Sequence, residues 1–288
     1  MAKSTSKKKS AETGTETISR NPTQLAIYLV KEYGPLVVLV LFVNVFFVQA
    51  YSVPTGSMEK TIYIGDYFFV SKLTYGPRLP FIDYRLPGLK DPKAGDIVVF
   101  VQPRTEENYI KRCVAAAGDT LEIRNRDLYL NGEIIPLPPN GQFIGELRPQ
   151  GFSDEGIFPK YTSWNKDFYG PIRIPKKGDR ITLTPENYSL YNWLIEYDGH
   201  TTKFNGGNIL IDGQPRFEYT VEQDYYFMVG DNRDNSLDSR YWGFVPASHI
   251  AGSPLFIYWS WNPDISILTS PVEKLASVRW RRLGKFLE

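Results

Sequence analysis

The pattern of hydrophobic and polar positions divides the chain into a polar tail, one long apolar run and a remainder of short apolar runs. Residues 1–20 carry scarcely an apolar side chain among their Lys, Ser, Thr and Glu. Such a composition cannot offset the entropy of ordering, so we predict a disordered tail. Asn21 and Pro22 suit the N-cap and first position of a helix, and Gly34 with Pro35 predicts a break or kink in it.

The longest apolar run predicts a membrane anchor. No residue from Leu36 to Val53 is charged, and at 1.5 Å per residue the run is about 27 Å long, close to the roughly 30 Å of a bilayer core. Tyr33 and Tyr51 flank it. A buried core element is one alternative. A cleaved secretory signal ending near Ala50 is another, although this run is longer and starts later than a usual signal core. We place helix and anchor together at residues 21–52.

Basic residues set the predicted orientation of this anchor. Directly after the run only Lys60 follows, whereas the cations before it are Lys3, Lys7, Lys8, Lys9, Arg20 and Lys31. Basic flanks stay in the cytoplasm, so we expect a cytoplasmic N-terminus and an extracytoplasmic remainder. An extended chain covers at most about 3.5 Å per residue, which keeps Ser57 within about 25 Å of the bilayer.

Beyond Val53 the pattern is that of a mostly β protein. Short apolar runs bounded by turn residues predict strands, and these runs are Tyr67–Val70, Ile97–Val101, Tyr109–Val114, Tyr225–Val229 and Leu255–Trp261. The last run is too short to cross a bilayer again. We interpret it as a final strand, with an aromatic contact to the membrane interface as the alternative.

Two hairpin signals lie between the third and fourth of these strands. Asn131–Gly132 and Asp212–Gly213 each follow a short apolar run, which is typical of a two-residue β-turn. We therefore expect residues 118–224 to form an inserted β-rich lobe. Residues 53–117 and 225–288 would together form the main β domain.

Composition and charge exclude some classes of protein. The 288 residues are 42% hydrophobic and 15% aromatic, enough for sizeable cores. Lys and Arg number 33 against 32 Asp and Glu, so overall charge gives no reason to expect nucleic acid as a partner. Cys113 is the single cysteine and cannot form an internal disulfide. The C-terminal residues 278–286 mix cations with apolar rings, which suits a membrane surface or a solvated tail.

A serine and a lysine are the candidate reactive groups. Ser57 follows Gly56, which lets a backbone approach a substrate closely, but a serine hydroxyl needs a base. His200 and His249 are the two histidines, and neither lies in a sequence setting that favours catalysis. Lys111 lies within an apolar strand, where burial would keep it neutral; an exposed edge position is the alternative.

Strand geometry and a polar loop add to this picture. Side chains alternate along a strand, so Lys111 and Arg112 take opposite faces, and one of them points inward if one face is buried. The strand Tyr225–Val229 ends in residues 230–240, which are dense in Asp, Asn and Arg. We expect a hydrogen-bonded loop there, with a solvated turn as the alternative.

Four stretches together resemble type I bacterial signal peptidases, which are membrane-anchored Ser/Lys endopeptidases. They follow an apolar span in the family's order, and they are Pro54–Met58, Gly95–Phe100, Tyr109–Arg112 with Gly118–Asp119, and Gly230–Ser236 through Pro246. The resemblance covers about Leu36 to Trp261. The chain departs from the family pattern at Lys60, where proline is frequent, and it lacks the cysteines for a disulfide found in some members.

The resemblance implies roles for particular residues. Ser57 corresponds to the nucleophile and Lys111 to the general base, while the Ser57 amide and the Thr55 hydroxyl correspond to the oxyanion hole, with Thr55 where the family commonly has Ser. Ser236 corresponds to the hydroxyl that orients the lysine. The supporting polar frame would be Asp231, Arg233, Asp238 and Arg240. The shallow pockets for small substrate residues would be lined by Val53, Met58, Ile62, Tyr109 and Ile110.

The function implied is cleavage of signal peptides from exported preproteins on the extracytoplasmic side of the bacterial inner membrane. The protein would cross the bilayer once, with signal peptides and lipid as partners and with neither a metal nor an organic cofactor. The alternatives are a catalytically idle, membrane-anchored binding protein and a self-cleaving regulator. Nothing in the N-terminal region looks like a DNA-binding module, which disfavours the regulator.

Overall fold

The computed structural model describes residues 22–79 and 85–287, so the predicted tail lies outside the described residues. The helices are α1 Pro22–Phe46, α2 Tyr188–Tyr197, α3 Ser239–Trp242 and α4 Pro271–Ala276. The strands are β1 Val48–Ser52, β2 Asp66–Ser71, β3 Ile97–Val101, β4 Asn108–Ala115, β5 Thr120–Arg124, β6 Asp127–Leu130, β7 Glu133–Ile135, β8 Tyr169–Arg173, β9 Arg180–Thr182, β10 Thr202–Asn205, β11 Asn208–Ile211, β12 Gln214–Pro215, β13 Glu218–Thr220, β14 Tyr225–Val229, β15 Val245–Pro246 and β16 Ile250–Ser260. Strands outweigh helices, which confirms the mostly β fold class.

The apolar run differs from its prediction at both ends. α1 is continuous through Pro35, which lies inside it, so the predicted break at Gly34 and Pro35 is wrong; a proline removes one donor, and the hydrogen bonds on either side persist. The helix ends at Phe46, and the next residues form β1, which pairs with β2. A helical span reaching Val53 is therefore wrong. The backbone N–H and C=O groups of Val48–Ser52 form their hydrogen bonds with β2 instead of within a helix. Within the described residues, α1 is the one helix long and apolar enough to cross a membrane.

The chain divides into two compact units at Val43, and all of the strands belong to the second. Seven strands form an antiparallel sheet in the order β1-β2-β16-β3-β4-β14-β15. β3 is buried on both faces: Ile97 and Val99 pack in one hydrophobic cluster, and Val98 and Phe100 pack in another. This explains why the β3 sequence is apolar throughout rather than alternating.

The strands between residues 118 and 224 form three smaller sheets, β7-β6-β5-β8, β13-β9 and β10-β11-β12. Both predicted hairpins are present, with Asn131, Gly132, Asp212 and Gly213 all at positive φ, as a two-residue hairpin turn requires. α2 was not predicted in this region. The hydrophobic core of these sheets includes residues of β14, so it is continuous with the main sheet. The domain boundaries remain a prediction.

The C-terminus is anchored to the main sheet rather than solvated. Arg282 is 9% exposed and donates to both carboxylate oxygens of Asp66 in β2. Phe286 bridges to Phe256 in β16, although Phe286 and Trp280 keep large exposed surfaces. The run Leu255–Trp261 lies almost wholly in β16, so its interpretation as a final strand is correct.

Candidate active site

The turn that carries Ser57 is held in place by the loop after β14. Gly56–Met58 form a single 3-10 turn. The Asn232 amide donates to the Ser57 carbonyl at 3.0 Å, and the Asn232 side chain donates to the Gly56 carbonyl at 3.2 Å. Ser57 is the second residue of the turn, and the amides of a helix's first turn are not used by its own hydrogen bonds. The Ser57 N–H is thus not consumed by the turn itself.

Lys60, just after this turn, has a φ of 71°. Proline is locked near −65° and cannot adopt that angle. The chain therefore makes this bend with a backbone that a proline at position 60 would not allow. Lys60 takes no part in the contact between Ser57 and Lys111.

Lys111 contacts the Ser57 hydroxyl directly. It lies in β4, is 3% exposed, and its Nζ donates to Ser57 Oγ at 2.6 Å and to the Ile110 carbonyl at 3.2 Å. Burial lowers the pKa of Lys111 to about 8, and the charges of Asp238 and Asp231 oppose that shift. A lysine with this pKa is neutral in an appreciable fraction of molecules near neutral pH, which a general base requires.

Both cations of β4 are buried, although only one was expected to point inward. Arg112 is 8% exposed and donates to the two carboxylate oxygens of Asp231 at 2.8 Å each. Arg112 also donates to the Gly95 carbonyl at 2.5 Å. The second face of β4 is covered as well, and it tolerates a cation because Asp231 neutralises the charge.

Asp231 connects three segments of the site. Besides the ion pair with Arg112, it accepts from the Thr61 hydroxyl at 2.6 Å, and its amide lies 3.3 Å from the Met58 sulfur. Asp231 is fully buried. Asp231 therefore joins the loop after β14 to β4 and Thr61 through its carboxylate, and to the turn of Ser57 through its amide.

The rest of this loop is the predicted hydrogen-bonded frame rather than a solvated turn. Arg240 is 1% exposed and donates to Asp238 and to the Arg233 carbonyl. Burial opposes ionisation of Asp238, but the Arg240 guanidinium outweighs it and the pKa of Asp238 is lowered. Asp238 also caps α3 by accepting from the Arg240 amide.

Ser236 lies beside the site. Among the described residues, no hydrogen bond joins its hydroxyl to the amine of Lys111. Its Oγ is buried and makes no well-formed hydrogen bond there, although it approaches Asp238 closely enough to help lower that group's pKa. Gly230 explains the crowding: a Cβ at this position would lie 2.3 Å from Ser236 Oγ and 2.6 Å from the Ser57 carbonyl oxygen. The need for glycine there was not foreseen, because it arises from contacts between distant segments.

Thr55 and a cavity complete the surroundings of Ser57. The Thr55 hydroxyl is exposed and lies 3.4 Å from Ser57 Oγ. A cavity of about 310 Å³ opens beside both residues, and Tyr109 and Ile110 line it as expected. It is also lined by residues that sequence reasoning missed, namely Tyr51, Ser52, Pro54, Phe68, Val99, Glu107, Asn108, Asn235 and Leu237.

Three residues expected to line the pocket lie elsewhere. Val53, Met58 and Ile62 are 4%, 0% and 0% exposed and belong to the hydrophobic core beneath the turn. They are not among the residues that line the cavity. Their apolar side chains stabilise the turn from below, because the turn folds back over the sheet and places them inside.

The remaining candidates take no part in this site. His200 pairs with Asp212 at 2.7 Å and Glu222 at 3.0 Å, away from the residues that line the cavity. Within residues 22–79 and 85–287 there is no group of three or more His, Cys, Asp or Glu side chains arranged to hold a metal ion. The reactive groups gathered at the cavity are Ser57 and Lys111.

At the wall of the cavity, a buried lysine of lowered pKa lies against a serine hydroxyl, and this geometry is compatible with a hydrolase whose nucleophile is a serine. Comparison with known proteins gives the particular family. The family model described as "Signal peptidase, peptidase S26" matches residues 26–259. The chain belongs to the signal peptidase family S26 and is a serine peptidase, which confirms the resemblance.

Relatives from distant bacteria support this assignment. A signal peptidase I of Pseudomonas aeruginosa is 31% identical over 86% of this chain and 78% of its own length. One from Helicobacter pylori is 31% identical over 88% of this chain and 90% of its own length. One from Aquifex aeolicus is 33% identical over 78% of this chain and 81% of its own length.

Proposed function

We propose that this protein is a membrane-bound endopeptidase that removes signal peptides from exported preproteins, with Ser57 as nucleophile and Lys111 as general base. The observation that carries the proposal is the 2.6 Å contact between Lys111 Nζ and Ser57 Oγ at the cavity wall. The substrate class follows from relatives named signal peptidase I that match most of the chain.

The reaction uses Lys111 twice. The neutral amine of Lys111 takes the Ser57 proton as Oγ attacks the scissile carbonyl carbon. The oxygen of the tetrahedral intermediate becomes negative, and the Ser57 N–H and the Thr55 hydroxyl are the donors available to it. The Lys111 ammonium then protonates the leaving amine. In deacylation Lys111 deprotonates the attacking water and passes that proton to Ser57 Oγ as the ester bond breaks.

The loop after β14 holds the Lys111 side chain in position against the Ser57 hydroxyl. Asp231, Arg233, Asp238 and Arg240 are buried. Asp238 and Asp231 act on Lys111 through their charges, and Arg233 joins this polar frame through its carbonyl, which accepts from Arg240. We assign Ser236 to the same frame, as a hydroxyl that can turn toward the ammonium when the lysine is charged. A substrate would bind as an extended strand in the cavity, with small side chains against Tyr109 and Ile110.

The membrane topology completes the proposal. α1 is long and apolar enough to cross a bilayer, and the basic residues of the N-terminal segment precede it. The N-terminus is cytoplasmic, the chain crosses the bacterial inner membrane once, and the peptidase domain lies outside the cytoplasm. A substrate that is itself inserted in the membrane then reaches the enzyme on the side where it is cut.

Cleavage of a preprotein by purified variants tests the proposed dyad. Ser57→Ala and Lys111→Met should each lower the rate of cleavage to background, because loss of either member of a nucleophile and base pair removes the whole reaction. Mass spectrometry of the products locates the cut. The expected site follows the small residues that end the signal peptide.

His200→Gln is the matched control for this experiment. It removes a partly exposed imidazole paired with Asp212 and Glu222, so cleavage should continue at the wild-type rate. Cleavage by Ser57→Ala or Lys111→Met at near the wild-type rate would contradict the mechanism. A folded wild-type protein that cuts no preprotein would favour the idle binding protein.

A further inference from the structure

A second cavity lies between β4, the loop after β14 and the segment 126–143, apart from Ser57. It has a volume of about 330 Å³, similar to the active-site cavity. The two cavities share no lining residue, although different residues of β4 line each of them. Volumes of this size hold small organic ligands. Its walls combine guanidinium groups with apolar side chains of the segment from Ile135 to Phe143.

Three arginines line this cavity, and two of them are already neutralised. Arg112 is paired with Asp231 through two hydrogen bonds of 2.8 Å. Arg126 donates to Asp167 at 3.1 Å and to the Gly145 carbonyl at 2.9 Å. The charges of Arg112 and Arg126 therefore have protein partners.

Arg233 is the third arginine, and its guanidinium is under-paired. It is 4% exposed, its Nε is buried without a hydrogen-bond partner, and no ion pair forms to it among the described residues. Burial, with the nearby charge of Arg240, lowers the pKa of Arg233 to about 10, and the charges of Asp231 and Asp238 oppose that shift without contacting the guanidinium as ion pairs. A buried guanidinium left without an acceptor is costly, and an acceptor that arrives from outside would offset that cost.

The remaining lining restricts the acceptor. The one carboxylate among the lining residues, Asp127, is exposed and lies at the rim. Leu128, Leu137 and Phe143 supply apolar walls. A planar carboxylate matches the donor fork of an arginine, and apolar walls favour a ligand with a hydrophobic body over a small hydrated anion.

We propose that this cavity binds an organic carboxylate with an apolar body, held by the Arg233 guanidinium. The carboxylate accepts from Arg233, and the apolar part packs between Leu137 and Phe143. Such a group occurs at the C-terminus of an apolar peptide and at the head of a fatty acid. Both present the same chemistry to the cavity.

Calorimetric titration of the full chain in detergent with 3-phenylpropionate tests the proposal, and the isosteric 3-phenylpropionamide is its matched control. A charge-assisted bond contributes about 1.5–3 kcal/mol, so the acid should bind about tenfold or more tightly than the amide. Equal binding of acid and amide, or binding of neither, would overturn the proposal. So would inorganic phosphate binding as tightly as the acid.

Variants locate the bound ligand. Arg233→Gln should reduce the affinity for the acid to that for the amide. Because Arg233→Gln removes a buried side chain and can unfold the loop, a second pair is made at Leu137, which is 41% exposed. Leu137→Asp should weaken binding of the acid by about tenfold more than Leu137→Asn does, since only the first adds a repelling charge; equal effects would place the ligand elsewhere.

Two further ligands distinguish the natural sources. An acetylated Ala-Phe dipeptide with a free C-terminus, compared with its amide, reports on peptide ends. Octanoate, compared with octanamide, reports on fatty acids. Binding of either acid over its amide supports the proposal and names the source, and binding of neither overturns it.

Discussion

At the scale of single residues, the burial that lowers the pKa of Lys111 also costs stability. Its pKa falls from 10.5 to about 8 in the folded protein. Above both values the lysine is neutral in both states, and below both it is charged in both. Between them the unfolded chain takes up the proton first, so stability declines as the pH falls from 10.5 to about 8 and stays lower, by about 3 kcal/mol, at neutral pH.

Lys111→Met should therefore abolish activity and raise the free energy of unfolding at neutral pH, by about 1–3 kcal/mol. The gain should shrink as the pH rises from about 8 and vanish above 10.5, where the wild-type lysine is neutral in both states. Denaturant unfolding at both pH values measures this. If Lys111→Met is less stable than wild type at neutral pH, burial of the charged lysine does not lower the free energy of unfolding as we infer.

Thr55 tests the oxyanion assignment. Thr55→Val keeps the shape of the side chain and removes its donor, so kcat should fall by about 100-fold or more while KM changes little. Thr55→Ser restores a hydroxyl and should restore most of the rate. Because Thr55 is exposed, neither change should alter the melting temperature. A Thr55→Val enzyme with the wild-type kcat would remove Thr55 from the mechanism.

At the scale of elements, the loop after β14 and strand β4 are joined through one buried carboxylate. Asp231→Asn leaves Arg112 as a buried charge without its counter-ion, which typically costs about 3–5 kcal/mol. The exposed pair of Arg124 with Glu122 gives the control: Glu122→Gln should cost less than about 1 kcal/mol. Similar losses in the two variants would mean that Asp231 does not hold these elements together.

The elements that the sequence predicts well are those whose signals are local. β3 and β14 are unbroken apolar runs, and the hairpins at Asn131 and Asp212 depend on residues that favour positive φ. β1 was missed because its apolar residues continue the pattern of α1, and only the partner strand β2 decides between helix and strand. α2 was missed for a similar reason, since its aromatic residues also suit a strand.

The residues of the site also divide into those that the nearby sequence indicates and those that depend on contacts between distant segments. Ser57 and Lys111 were singled out from their sequence surroundings, and the structure brings them into contact. The residues that line the pocket are harder to predict from the sequence. Whether Met58 or Leu237 faces the cavity depends on how the turn of Ser57 packs against the loop after β14, which is distant in the chain. Gly230 acquires its role through the same meeting of segments.

At the scale of the whole molecule, the proposed topology is open to chemical labelling. Cys113 is the single cysteine and is fully buried, so the wild-type protein should give no background with a membrane-impermeant maleimide. Tyr161 is 96% exposed. Tyr161→Cys should react in intact spheroplasts, whereas Ser4→Cys should react only after lysis. The reverse pattern would invert the orientation, and reaction of both before lysis would contradict a single crossing.

The pH dependence of kcat/KM for cleavage of a signal-peptide substrate is the decisive measurement for Lys111 as general base, because it reports the ionisation of the base in the free enzyme. With Lys111 as the base, the rate should rise about tenfold per pH unit on the acid side and level off near the Lys111 pKa of about 8. A profile that is flat through this region, or that levels off near the pKa of a histidine, would contradict Lys111 as the base.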